Sequence, residues 1–146
     1  MISLAYAACS EICVPYQAEL TLPLPLGTGA ASTEAAAINS ARKTVPGTAA
    51  AAGIDIIGTR VAGTASEPVL VVDLRSKDRP FVRPDLFVEG AGNGIPAAPT
   101  VDLQANGRTA RLTVRISRVQ LSDRPLTLTL TDQDRAAEFQ VNGGSK

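Results

Sequence analysis

Leu126, Leu128 and Leu130 alternate with Thr127, Thr129 and Thr131, and few patterns constrain a fold more tightly. A side-chain period of two fits a β-strand with one face buried and one face wet, and it fits no helix. The same period recurs upstream over Arg108–Val119, where Leu112, Val114 and Ile116 point inward and Arg111, Thr113, Arg115 and Ser117 outward. Ile54–Val61 alternates around Gly58, and Thr100–Gln104 precedes an Asn106-Gly107 pair, a strong hairpin signal. Pro68–Arg75 is a nearly continuous β-branched run suited to a central strand. Asp85–Gly90 and Arg135–Val141 complete about seven short strands separated by turn signals. The expectation is a mainly β chain: an antiparallel immunoglobulin-like β-sandwich over residues 48–141, with a polar tail at 142–146. With three Phe, two Tyr and no Trp, its core must be aliphatic.

The alternation also marks an N-terminal β-hairpin. Residues 2–8 and 14–24 read as two strands. In the second, Leu20, Leu22, Leu24 and Leu26 share one face, and Glu19, Thr21, Pro23 and Pro25 the other. Pro23 and Pro25 cannot donate ladder hydrogen bonds, so that end is an edge or has left the sheet. Between hairpin and sandwich, Ala35–Lys43 predicts one short helix. Ser32 or Thr33 suits its N-cap, Glu34 its first turn, Arg42 and Lys43 its last, and Pro46-Gly47 its stop. The small residues of Thr48–Gly53 read as a linker or a loose continuation. The organisation expected is a hairpin over 1–30, a connecting helix over 31–47, and the sandwich.

Chemistry concentrates in the turn of that hairpin, Cys9-Ser10-Glu11-Ile12-Cys13-Val14-Pro15, which holds both cysteines. A helix would place them on one face, and a tight hairpin would set them opposite each other at disulfide distance. Pro15 and the strand-like flanks favour the hairpin. Thiol exchange needs an accessible sulfur and a resolving partner, and this pair supplies both. Glu11 is an anion, which raises a nearby thiol's pKa, and it reads either as a proton acceptor or as a solvated turn residue. Two other readings stand beside exchange: a structural disulfide, and Cu(I) held by two thiolates. The loop closed by the pair is short, so its stapling contribution is small.

Other classes fare worse. The chain has no histidine, which removes histidine bases, Ser-His triads and histidine metal sites. Lys+Arg and Asp+Glu balance at 14 each, so total charge gives nucleic-acid binding no support. No apolar run is long enough to span a membrane, and Met1 opens on strand-like sequence rather than a signal-peptide pattern. Asp73, Asp78, Asp85, Arg75, Arg79 and Arg83 read as a solvated turn region, and Asp132, Asp134 and Glu138 match no calcium loop. Gly90-Ala91-Gly92-Asn93-Gly94 precedes no helix, which argues against a phosphate loop. No cofactor and no metal is expected.

The stretch AYAACSEICVPYQAELTLPLP resembles the end of the periplasmic redox domain in the DsbD/ScsB group of thiol:disulfide interchange proteins. The three-residue spacer between the cysteines is similar to that of the ScsB-like branch. DLFVEG and RPLTLTLTDQDRAAE resemble a second sandwich module of that group. The resemblance implies a periplasmic module of an inner-membrane-anchored parent protein that passes electrons by dithiol/disulfide exchange. Cys13 would form the mixed disulfide and Cys9 would resolve it. It further implies that the hairpin ends a redox domain whose earlier strands are absent from this sequence, and that a complete second sandwich follows. The partners implied are periplasmic thioredoxin-like or disulfide-bearing proteins and a transmembrane redox domain of the same parent. The alternative is a non-catalytic binding or spacer sandwich with a structural disulfide, or a copper-tolerance role.

Overall fold

The computed structural model describes residues 1–23, 26–27, 29–64, 66–89, 97–116 and 125–142. The chain divides into two compact units, Met1–Ala37 and Ile38–Lys146.

The first unit is built on an antiparallel hairpin of β1 (Ile2–Cys9) and β2 (Cys13–Leu20). The second strand is shorter than its leucine pattern predicts. The ladder ends at the Ile2↔Leu20 pair. Leu22 and Leu26 therefore lie outside the strand, and Leu24 and Pro25 lie outside the described residues. Helix α1 (Ala35–Arg42) follows, with Arg42 in its last turn. Its first turn is closed by the Ser32 carbonyl, which accepts from the Ala35 N–H. The Thr33 hydroxyl donates instead to the Glu34 carboxylate and holds it below its ordinary pKa. The cap expected from a Ser32 or Thr33 hydroxyl is thus not made among the described residues.

The second unit is a two-sheet antiparallel β-sandwich. One sheet has the order β4 (Ile54–Gly63), β5 (Pro68–Ser76), β8 (Thr109–Arg115), β7 (Thr100–Gln104). The other has the order β3 (Gly47–Thr48), β10 (Arg135–Asn142), β9 (Pro125–Asp132), β6 (Pro84–Glu89). Taking β4 to β10 as first to seventh, the sheets read first-second-fifth-fourth and third-sixth-seventh. That is the strand order of a constant-type immunoglobulin domain. The β-branched run is central as expected, with β5 between β4 and β8.

Alternation fills the core. Leu70, Val72 and Leu74 of β5 and Leu112 and Val114 of β8 face Leu126, Leu128 and Leu130 of β9, all at most 1% exposed. Each such side chain contributes roughly 1.5–3 kcal/mol through burial. The core is aliphatic apart from Phe81, with Phe139 packed against it. Ile116, beyond the end of β8, is also buried, and Ser117–Val119 lie outside the described residues, as do Gly90 and residues 143–146.

Two expectations need correction. Thr48–Gly53 is no linker: Gly47–Thr48 adds a short parallel strand against Ala137 and Glu138 of β10, and Ala49 is buried in the core. The Ile54 N–H donates to the Ala49 carbonyl, so the small residues form a compact turn. In the first strand of the sandwich the register shifts between Ile56 and Gly58, a β-bulge that the alternation around Gly58 did not reveal.

Candidate functional site

The hairpin positions the cysteines. Its register pairs Tyr6 with Tyr16, Ala7 with Pro15, Ala8 with Val14, and Cys9 with Cys13. The ladder therefore ends on the cysteine pair, and Ser10-Glu11-Ile12 closes the turn with the Ser10 N–H donating to the Ile12 carbonyl at 3.1 Å. Cys9 and Cys13 are joined by a disulfide across the strands, with Cα atoms 4.0 Å apart. Both residues are exposed. A shallow depression at the tip is lined by Ala8, Cys9, Ser10, Glu11, Ile12 and Val14.

Period two gives the hairpin two unlike faces. Ile2, Leu4, Tyr6, Ala8, Val14, Tyr16, Ala18 and Leu20 share one, and every one of them is apolar or aromatic. Cys9 and Cys13 share the other with Ser3, Ala5, Ala7, Pro15, Gln17 and Glu19. The two tyrosine rings stack across the strands, 5.5 Å between centroids and 19° between planes. Within this unit the hairpin has no core of its own: every strand residue is exposed except Ala18, which is half-buried.

Electrostatically the tip is one-sided. The first Lys or Arg in the chain is Arg42, so apart from the terminal amine the first forty-one residues carry only Glu11, Glu19 and Glu34 as charges. Nothing cationic in the local sequence stabilises a thiolate on either sulfur.

Several of the remaining charged residues have structural partners. Asp73 accepts from Arg60 at 2.7 Å and from Arg111 at 2.6 Å across three strands, so it belongs to a sheet face rather than a turn. Hydrogen bonding from Arg111, with a further contribution from Arg60, holds its carboxyl below the usual range against the opposing effect of burial. Arg79 pairs with Asp134 and lowers that carboxyl too. Asp85 accepts from the Leu86 N–H, and the Lys77 and Asp78 carbonyls accept from Arg108. Asp132 is buried and faces Arg135, while Glu138 is exposed on β10. Among the described residues no three His, Cys, Asp or Glu side chains converge as a metal site would require. Gly90–Gly94 lies outside the described residues.

Sequence reasoning missed one polar constellation: Asp132, Arg135, Ser76 and the carbonyl of Arg79. Its members lie in two separate stretches, 76–79 and 132–135, and the only local signal is an Asp and an Arg flanking a two-residue turn. It holds strands together and carries no exposed reactive group.

Comparison with curated proteins and with solved structures finds no match. A family model does match, over residues 44–146, a stretch that takes in the sandwich and leaves the cysteine hairpin outside. The chain belongs to that family, described as a Domain of unknown function (DUF8393).

Proposed function

We propose that the chain is a thiol:disulfide interchange module acting through Cys9 and Cys13, within a periplasmic, inner-membrane-anchored protein of the DsbD/ScsB kind. The observation that carries this reading is the exposed cross-strand disulfide at the hairpin tip, where an incoming sulfur has open access. In the accepting half-cycle a partner thiolate attacks Cys13 Sγ, and the S–S bond breaks with its electron pair leaving on Cys9. The mixed disulfide is then resolved by the partner's second thiol. Cys9 and Cys13 gain two electrons and two protons, and the partner dithiol becomes a disulfide. The donating half-cycle runs the same steps in reverse toward a disulfide-bearing protein.

The test is a redox titration of the full chain with thiol trapping, together with capture of a mixed disulfide by the Cys9→Ser variant. Exchange predicts a midpoint in the oxidoreductase range and a trapped adduct on Cys13. A midpoint far below about −300 mV with no adduct would mark the bond as structural. One observation favours a second reading, a spacer or binding sandwich with an inert staple: the family match excludes both cysteines. On that reading Cys13→Ser leaves partner binding unchanged.

A further inference from the structure

Tyr6 and Tyr16 lie three residue pairs from the disulfide, on the opposite face of the hairpin. Three pairs span roughly 10 Å along a strand, so the rings do not touch the sulfurs through their own stack. We propose that the Tyr6–Tyr16 stack is a positioning element for the Cys9–Cys13 couple, and that its strength sets how readily the disulfide is reduced. The proposal deepens the exchange reading and rests on it for biological meaning, but its physical content is independent of any protein partner.

Once the bond is broken, Cys9 and Cys13 re-form it in proportion to the time the reduced chain holds them opposite each other. Only the β1–β2 ladder does that. A two-stranded ladder is marginal in water, and this one has no core within its unit. Its order in the reduced state then depends on cross-strand side-chain pairs. Of the four pairs on the apolar face, Ile2↔Leu20, Leu4↔Ala18 and Ala8↔Val14 are aliphatic, and only Tyr6↔Tyr16 brings two aromatic rings together. Linkage makes the coupling reciprocal: whatever the disulfide adds to the stability of the stack, the stack adds to the disulfide over the dithiol.

The reaction that reports it is balanced with glutathione. The protein disulfide and two glutathione thiols give the Cys9/Cys13 dithiol and one glutathione disulfide, so the protein gains the two electrons and two protons that glutathione loses. The equilibrium constant is read by thiol trapping and mass spectrometry on the full chain. Tyr6→Ala and Tyr16→Ala are expected to shift it toward the dithiol by between about two- and tenfold, the range of an aromatic pair. Tyr6→Phe keeps a stacking ring and is expected to restore the wild-type value. Gln17→Ala, one residue from Tyr16 on the disulfide face, is expected to leave it unchanged. Tyr6 and Tyr16 are the only tyrosines in the chain, so tyrosine-to-tyrosine ring NOEs report the hairpin alone. They are expected to weaken on reduction. Alanine variants with the wild-type constant would overturn the proposal, as would a Gln17→Ala shift equal to that of Tyr16→Ala. If no protein partner exchanges with the pair, the proposed function falls and this equilibrium result still stands or fails by itself.

Discussion

Asp132 and Arg135 form a buried ion pair across the two-residue turn that joins β9 to β10. Arg135 Nη2 and Nε reach Asp132 Oδ2 at 2.9 and 3.1 Å, and the two side chains are only 2% and 9% exposed for Asp132 and Arg135. The second carboxylate oxygen accepts the backbone N–H groups of Val82 and Arg83 at 3.0 and 2.8 Å. Arg135 Nη1 donates to Ser76 Oγ at 2.8 Å, and its guanidinium lies 4.7 Å from the Phe81 ring centroid. One carboxylate thereby pins the β5–β6 connection to the β9–β10 turn, and with it one sheet to the other.

Asp132→Ala should be among the most damaging single changes in the sandwich. It strands a mostly buried guanidinium and two backbone donors, and removing one partner of such a pair costs about 3–5 kcal/mol. Urea denaturation measures this directly, and a loss under about 1 kcal/mol would mean that the cluster is not holding the sheets.

Asp73 predicts a pH dependence. Its folded pKa lies below its ordinary value near 3.8, so its pairing stabilises the fold above that value and is lost as pH falls through the lower folded one. Both arginines are about half exposed, so Asp73→Asn should cost about 1 kcal/mol or less at neutral pH. The gap between wild type and variant should close below about pH 4. Melting curves at neutral and acid pH that differ by the same amount would contradict the assignment.

Gly107 occupies a position that a side chain cannot share. It has φ +79°, follows two residues already left-handed, Ala105 and Asn106, and a Cβ there would sit 2.9 Å from the Phe81 carbonyl oxygen. The loop cannot drift away freely, because the Phe81 N–H donates to the Gly107 carbonyl at 2.8 Å. Gly107→Ala should therefore cost about 2 kcal/mol in thermal or chemical unfolding, whereas an unstrained glycine would gain from the same change.

Leu128→Ala removes a side chain with 0% exposure, paired in register with Val88 on one side and Phe139 on the other. A cavity at that point should cost about 2–5 kcal/mol. Thr129→Ala, next along the strand and facing outward, should stay within about 0.5 kcal/mol in the same assay.

What the sequence revealed follows from how local each signal is. Leu126, Leu128 and Leu130 declare their strand and its buried face because the period of two is written in adjacent residues. Asn106-Gly107 declares its turn for the same reason. Cys9 and Cys13 were legible as an opposed pair because Pro15 and the alternation on both sides favour a hairpin over a helix. Gly47–Thr48 was not legible: its partners, Ala137 and Glu138, lie some ninety residues away, and two residues carry no periodicity. Asp132 reads as one more polar residue before a turn, and only the distant N–H groups of Val82 and Arg83 explain why it faces inward. The apolar face of the hairpin was half visible through Leu20; the register is what unites it with Ile2, Leu4, Tyr6 and Val14.

The disulfide at the hairpin tip also acts as a covalent bracket around the Glu11–Ile12 peptide bond. A single cut at that bond adds the mass of one water to the oxidised chain and releases nothing. Cutting the same bond in the reduced chain sets the first eleven residues free. The state of two sulfur atoms is thus converted into the difference between one polypeptide and two, and a gel could read it.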